Sequence, residues 1–148
     1  MPLNNMSYGD KRVNIEEEIL NSSRVVAVVG LSLDPNRPSH KIASYLKEQG
    51  YKIIPVNPKA REILREVCYP ELASIPELVD VVVIFRRSDE VPGIVEEAIK
   101  IRAKAVWMQE GVINNGAAAR AEESGLLVVM DRCMRKEYMK LQSGGNKQ

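Results

Sequence analysis

The fold class to expect from this sequence is α/β, a single doubly wound domain with a mostly parallel five-stranded sheet. Five short apolar runs recur along the 148 residues. The stretches between them are long enough for a helical crossover and too long for a hairpin. The runs are rich in Val and Ile and do not alternate with polar residues, which is the pattern of strands covered on both faces. Aromatics make up only 5% of the chain, so the core must be aliphatic.

Each element has a local reason. Asn14 with Glu17 forms a capping box before Ile15, Ile19 and Leu20, and opens a first helix. The strands are residues 24–30 (RVVAVVG), 51–56 (YKIIPV), 80–85 (DVVVIF), 104–108 (KAVWM) and 126–130 (LLVVM). Between the first two, residues 39–49 place Ile42, Tyr45, Leu46 and Gln49 at helical spacing, with Gly50 at the stop position. Residues 66–75 are read as a short edge strand or a loop, because Pro70 and Pro76 forbid a long element. After Ser88, Val91, Val95, Ala98 and Ile99 stripe a helix that tolerates Pro92 in its first turn. Asn114 or Asn115 caps the next helix, with Ala118 and Ala121 as its inner face and Gly125 as its end. Met134, Tyr138 and Leu141 stripe the last. The expected organisation is a helical segment over 1–23, one Rossmann-like domain over 24–142, and a disordered tail over 143–148.

Composition excludes several classes. A formal charge of +1 is far from the excess of a general nucleic-acid binder. The basic stretch at the carboxyl end reads as a solvated helix face. No apolar run exceeds five residues, well short of the ~18 that mark a membrane span. Cys68 and Cys133 are far apart without a CxxC partner, and His40 is the one histidine, so no metal site is expected. The opening MPLNNMSYGDKR has no apolar signal segment, which points to a reducing cytoplasm.

In such a sheet a ligand is expected beyond the carboxyl ends of the strands, where the strand order reverses. The first of these loops carries Gly30, Ser32, Arg37, Pro38 and Ser39 at the amino end of a helix, whose free amides favour an anion. It reads either as a phosphate cradle or as ordinary turn chemistry, and Arg37 favours the former because a guanidinium forks onto phosphate oxygens. The loop is not a GxGxxG fingerprint. The second strand ends in Asn57 and Pro58, where an NAD site would carry an acid, so NAD is disfavoured. Asn57 can meet a ribose or adenine edge, and Lys59 and Arg61 an additional phosphate on that ribose. NADP and coenzyme A (CoA) both carry one. The remaining strand ends contribute Phe85 and Arg86, Gln109 and Gly111, and Cys133.

The strings VVGLSLDPNRPSHKIASYL, GYKIIPVNP, CYPELASIPELVDVVVIFRRSDEVPGIVEEAI, AKAVWMQEGVIN and GLLVVMDRCM, in that order, resemble the small stand-alone CoA-binding proteins. Those proteins are similar to the CoA-binding domain of the succinyl-CoA synthetase alpha subunit. The resemblance runs from about Arg24 to Tyr138. It implies a Rossmann-like fold holding CoA, with the 30–39 loop on the pyrophosphate, Asn57 and Pro58 near the adenosine, and Phe85 and Arg86 along the pantetheine path. Ligase chemistry in the synthetase needs a phosphorylated histidine from another domain, whereas His40 falls in a helix first turn and reads as a surface residue.

No complete catalytic apparatus is visible. There is no GxSxG elbow, Glu110 in the Gln-Glu-Gly turn reads as a loop-orienting residue, and Trp107 as core. The leading expectation is a cytoplasmic protein that binds CoA or acyl-CoA, with a small-molecule nucleotide as its partner and neither nucleic acid nor membrane. Association with a second copy stays open. Two rivals are an NADP-dependent enzyme and a protein-interaction domain with a vestigial cleft. Cys133 opens the last helix beside Arg132 and Arg135, which favour a thiolate able to form a reversible mixed disulfide with CoA under oxidation; its other reading is a small buried residue packing that helix.

Overall fold

A computed structural model describes residues 14–146. Its elements are α1 (Ile15–Ser22), β1 (Val25–Val29), α2 (Pro38–Glu48), β2 (Lys52–Val56), β3 (Glu62–Ile63), β4 (Glu66–Val67), β5 (Val81–Ile84), α3 (Val91–Lys100), β6 (Ala105–Met108), α4 (Asn115–Glu123), β7 (Leu127–Val129) and α5 (Met134–Asn146). The main sheet runs β2-β1-β5-β6-β7, all parallel, and the doubly wound expectation holds. The chain moves outward from β1 to β2 and then returns to the other side of β1 to lay down β5. The strand order therefore reverses between β1 and β5.

Residue parity sorts the strand side chains into two cores. Val26 and Val28 of β1, Ile53 of β2, Val81 and Val83 of β5 and Trp107 of β6 face α1, α2 and α5, meeting Ile19, Leu46 and Met134. Val25, Ala27, Val29, Val82, Ile84 and Met108 face α3 and α4, where Val91, Val95, Ala98, Ala117 and Ala121 are buried. Burial on both faces explains the unbroken apolar runs. Tyr138 of α5 meets Tyr45 and Tyr51 edge to face, at 6.0 and 5.9 Å between ring centres.

The expected caps are present. Asn14 and Asn114 accept from the Glu17 and Ala117 amides, and Gly50 and Gly125 take positive φ after α2 and α4. Three details differ from the sequence reading. Ala117 is buried with Ala121 on the inner face of α4, while Ala118 is only partly buried against the same core. Residues 66–75 carry only a two-residue strand and otherwise loop, and the difference lies in that strand's partner. β4 pairs antiparallel with β3, a strand unforeseen in the sequence, and a 3₁₀ turn follows at Leu72–Ser74. Tyr69 then bridges to Val56, its amide donating to the Pro55 carbonyl on the outer edge of β2. Finally, α5 continues through Ser143, Gly144 and Gly145 to Asn146, into the stretch expected to be a disordered tail. Intrahelical bonding propagates from the docked Met134 turn at a cost of only about 1 kcal/mol per glycine. The beginning of the expected N-terminal segment and the last two residues lie outside the described region.

At the opposite, amino edge of the sheet, Asp80 clamps β1. Its Oδ2 accepts from the Arg24 and Val25 amides at 2.8 and 2.9 Å, and Lys104 Nζ lies 3.6 Å from Oδ1. Burial raises the Asp80 pKa, but the two amides and the lysine outweigh it and hold the carboxyl below its ordinary value. A depressed folded pKa contributes stability above the unfolded value of ~3.9, lost as pH falls through the folded one. Asp80→Ala should therefore lower stability at neutral pH by roughly 1–3 kcal/mol, the cost of orphaning those donors. The gap to wild type should narrow in thermal melts as the pH drops below ~4. A gap independent of pH would show that the carboxylate charge is not what holds β1.

Candidate functional site

The carboxyl edge of the sheet brings together the loops after β1, β2, β5 and β6. The parallel register of β1 and β5 ends both strands together: Val29 faces Ile84, and the Phe85 amide donates to the Val29 carbonyl at 2.9 Å. Gly30 and Phe85 thus lie side by side at the reversal point. Gly30 has φ +89°, and a Cβ there would collide with the Phe85 carbonyl. The neighbouring strand end by itself thus requires a glycine at this position.

Two adjoining cavities open here. The larger, about 740 Å³, is lined by Gly30, Ser32, Arg37, Pro38, Ser39 and Ile42, by Phe85, Arg86, Arg87 and Glu90, and by Gln109, Glu110 and Val112. The second, about 490 Å³, shares Gly30, Ser32, Arg37 and Arg86 and adds Leu33, Asp34, Asn57, Pro58 and Lys59. Their common wall makes them one groove of the size that takes a cofactor.

The 30–39 loop is braced from within. Ser39 Oγ accepts from the Ser32 amide at 3.0 Å, Ser32 Oγ from the Asp34 amide at 3.0 Å, and Asp34 Oδ1 from the Asn36 amide at 2.9 Å. Asn57 is a brace as well. Its Nδ2 donates to the Leu31 carbonyl at 3.0 Å and its Oδ1 accepts from the Lys59 amide at 2.8 Å, so it ties the β2 loop to the β1 loop. These side chains hold the groove's shape and leave the charged contacts to others.

The cations are differently placed. Arg37 is the N-cap of α2 and makes no capping bond with its side chain. A positive charge at a helix amino end is unfavourable by itself and becomes favourable when an anion joins it. Arg37, Lys59 and Arg86 have no ion-pair partner among the described residues. Arg87 differs: a hydrogen bond to Asp89 at 3.2 Å and the nearby Glu90 raise its pKa and occupy it.

At the far end of the larger cavity stands Gln109, only 3% exposed. Its Nε2 is buried without a hydrogen-bond acceptor, the one such side-chain atom among the described residues. A buried donor left unmatched costs roughly 1–3 kcal/mol, a cost that a ligand acceptor would cancel. The turn that carries Gln109 is closed by the Val112 amide on the Gln109 carbonyl at 2.9 Å. It is also latched to the segment after β7, where Asp131 Oδ1 accepts from the Gly111 amide at 2.8 Å and Lys136 pairs with Glu110 at 3.0 Å.

Most residues singled out in the sequence therefore meet in one groove, with three exceptions. Gly111 lines neither cavity, and serves the turn with φ +84°. Arg61 also lines neither cavity, since the chain turns into β3 beyond Lys59. Cys133 is 4% exposed and packs in the core with Met134, and its carbonyl accepts the first bond of α5 from the Glu137 amide. This placement favours the packing reading of Cys133 over the mixed-disulfide one. Ile42, Arg87, Glu90 and Val112 line the groove without having been singled out. Ile42 had a signal only as part of an apolar helix stripe, and Val112 only as a neighbour of the Gln-Glu-Gly turn. Among the described residues there is no helix long and apolar enough to cross a membrane, and no cluster of three metal-ligating side chains.

Comparison with known proteins places these features in context. The family model described as the CoA binding domain matches residues 24–139. Uncharacterized protein YneT of Bacillus subtilis (strain 168) is 40% identical over 119 residues, covering 80% of this chain and 88% of that protein. Acetate--CoA ligase [ADP-forming] II of Archaeoglobus fulgidus is 35% identical over 107 residues, covering 70% of this chain but 16% of the ligase. Among solved structures, a hypothetical protein from Pyrococcus horikoshii OT3 superposes with a TM-score of 0.84 at 37% identity, over 91% of this chain and 99% of that one. The apo form of the Ca. Korarchaeum cryptofilum dinucleotide forming acetyl-coenzyme A synthetase 1 gives a TM-score of 0.65 at 30% identity, over 75% of this chain and 26% of the synthetase. The chain is thus similar to nearly all of some small relatives and to a minor portion of the ligases.

Proposed function

The chain belongs to the CoA-binding domain family, and on that premise we propose that its groove binds coenzyme A or an acyl-CoA. The observation that carries this reading is the set of three cations without ion-pair partners among the described residues, Arg37, Lys59 and Arg86, around two adjoining cavities at the strand-order reversal. The amino end of α2 and the Arg37 guanidinium take the pyrophosphate, with Arg86 beside them. Lys59 takes the phosphate on the ribose, with the adenosine against Asn57 and Pro58. The arm runs past Phe85 towards Gln109. Ser32, Pro38 and Ser39 shape the phosphate loop rather than contact the ligand by charge.

The reaction of the ligase relatives is not proposed for this chain. It spans 16% of the first of them, and its groove supplies binding and orientation. The protein is read as a nucleotide-binding carrier, sensor or subunit in a reducing cytoplasm, in keeping with two buried, free cysteines.

Calorimetry with CoA, dephospho-CoA and NADPH tests the assignment. Dephospho-CoA lacks the partner of Lys59, so one charge-assisted contact of about 1.5–3 kcal/mol should vanish, weakening binding by roughly 10- to 100-fold. Equal affinities for CoA and dephospho-CoA would remove Lys59 from the ribose phosphate. Tightest binding of NADPH would replace the CoA reading with that of an NADP-dependent enzyme.

A further inference from the structure

We propose that the trough between α2 and α5 is a second ligand site, separate from the groove, and that it takes a small phosphate monoester with a hydroxylated body, the chemistry of a sugar phosphate. It draws on His40 and on the basic start of α5, which the CoA reading leaves without a role.

A cavity of about 380 Å³ lies in this trough. α2 contributes His40, Lys41, Ser44, Tyr45 and Glu48, which helical spacing places on one face, and α5 contributes Arg135. None of these residues lines either cavity of the groove, which takes Ser39 and Ile42 from the other side of the helix. At 380 Å³ against the 740 Å³ of the larger groove cavity, the trough suits a small molecule and not a nucleotide with a long arm.

Its charges are sorted by end. Both helices run back from the carboxyl edge of the sheet, so their first turns lie together, with Arg135 beside His40 and Lys41. Glu48 stands two turns further along α2, about 12 Å from His40. Lys41 and Glu48 are seven residues apart, beyond the three- and four-residue spacing of a helix ion pair, so they do not neutralise each other. His40, Lys41, Glu48 and Arg135 have no ion-pair partner among the described residues. Nearby groups that could have quenched them are engaged elsewhere, Glu137 with Lys140 at 3.5 Å and Lys47 with Glu66 at 3.0 Å. The arrangement opposes the dipole of α2, which has no acid in its first turn and ends on a carboxylate. Bases at a helix amino end become favourable when an anion joins them.

The occupant follows from that polarity. A guanidinium fork, an ammonium and an imidazole N–H together suit the several oxygens of a phosphate better than the two of a carboxylate. At the far end the Glu48 carboxylate repels a second negative charge and accepts from hydroxyl groups instead. A dicarboxylate, charged at both ends, is thus excluded. The Tyr45 ring, held edge to face by Tyr138 at 6.0 Å, forms a wall between the two ends. The body that lies along it is short, neutral and rich in hydroxyls.

Calorimetric titration of the whole chain with glucose 6-phosphate, inorganic phosphate and glucose tests the site. Glucose 6-phosphate should bind saturably, about tenfold or more tighter than either of the others. Arg135→Ala should weaken it about tenfold or more, the loss of one charge-assisted contact, with CoA affinity and the thermal transition unchanged. Lys41→Ala serves as the second variant if that one does not fold. Glu48→Ala should weaken glucose 6-phosphate about fivefold or more and inorganic phosphate not at all. Arg37→Ala, in the groove, should leave glucose 6-phosphate within about twofold. His40 is the one histidine of the chain, so its ring resonances report on this site and should shift in step with the calorimetric curve. No saturable binding, or His40 resonances unmoved at saturation, overturns the proposal. So does a greater loss in Arg37→Ala than in Arg135→Ala, which puts the sugar phosphate in the groove. Equal affinities for glucose 6-phosphate and inorganic phosphate, or an indifferent Glu48→Ala, overturn the hydroxylated body. A chain that binds glucose 6-phosphate at His40 but no CoA refutes the groove reading and supports this one.

Discussion

Replacing Arg37 and Arg86 together by alanine should lower CoA affinity by roughly 10²- to 10⁴-fold while leaving the thermal transition nearly where it was. Each guanidinium is assigned a charge-assisted contact of about 1.5–3 kcal/mol with phosphate, and two such contacts give the range. The residues line the same cavity, so their losses will not be strictly additive. Stability is spared because neither side chain has an ion-pair partner among the described residues to orphan. Removing a cation from the N-cap of α2 also relieves an unfavourable helix-dipole contact. Wild-type binding should weaken with salt, and the double variant should show a shallower dependence. Retention of CoA affinity within about tenfold would move the phosphates elsewhere.

Gly30→Val should be the most destabilising single change near the groove. Its φ of +89° strains any L side chain, and the new Cβ meets the Phe85 carbonyl, which is backbone and cannot swing away. About 3 kcal/mol or more is expected from the two effects together, or a fall in melting temperature of about 6–12 °C for a domain of this size. Gly50→Ala is the control. It shares the positive φ, at +107°, but its Cβ meets nothing within 4 Å, so it should cost only about 1–2 kcal/mol. CoA binding should be lost in Gly30→Val because β1 and β5 no longer end in register. A variant with a normal melt and no affinity would instead mean that Gly30 makes room for the ligand.

The layered fold was legible because its signals are local. Five apolar runs marked five strands, and Asn14, Asn114, Gly50 and Gly125 marked helix ends by their own chemistry. The β3–β4 hairpin was not, since Leu64 and Arg65 turn it with φ of 56° and 63° where Gly or Asn would be expected. Tertiary context overrides those preferences, and no short-range pattern announces it. The same divide runs through the site. Arg37 and Arg86 were identifiable as cations at strand ends. Gly30 was identifiable as special, but the reason lay in Phe85, far along the chain, and emerged only with the parallel register of β1 and β5. Gln109 was placed at a strand end, but its unmatched amide follows from burial, which the sequence does not display. Cys133 occupied the expected helix start while its side chain turned into the core.

The Tyr69 bridge to β2 bears on how copies of this protein meet. An open edge strand templates further strands through its free amides and carbonyls, and is the usual route to sheet-to-sheet aggregation. On β2, Pro55 has no N–H to offer. Its carbonyl already accepts from Tyr69, whose own carbonyl takes the Asn57 amide at 2.9 Å. The outermost positions at that end of the strand are spent within the chain. At the other margin β7 is only three residues long, too little to seed a stable ladder. Growth of a continuous intermolecular sheet is thus blunted at both margins, and a second copy that binds must do so through side-chain surfaces.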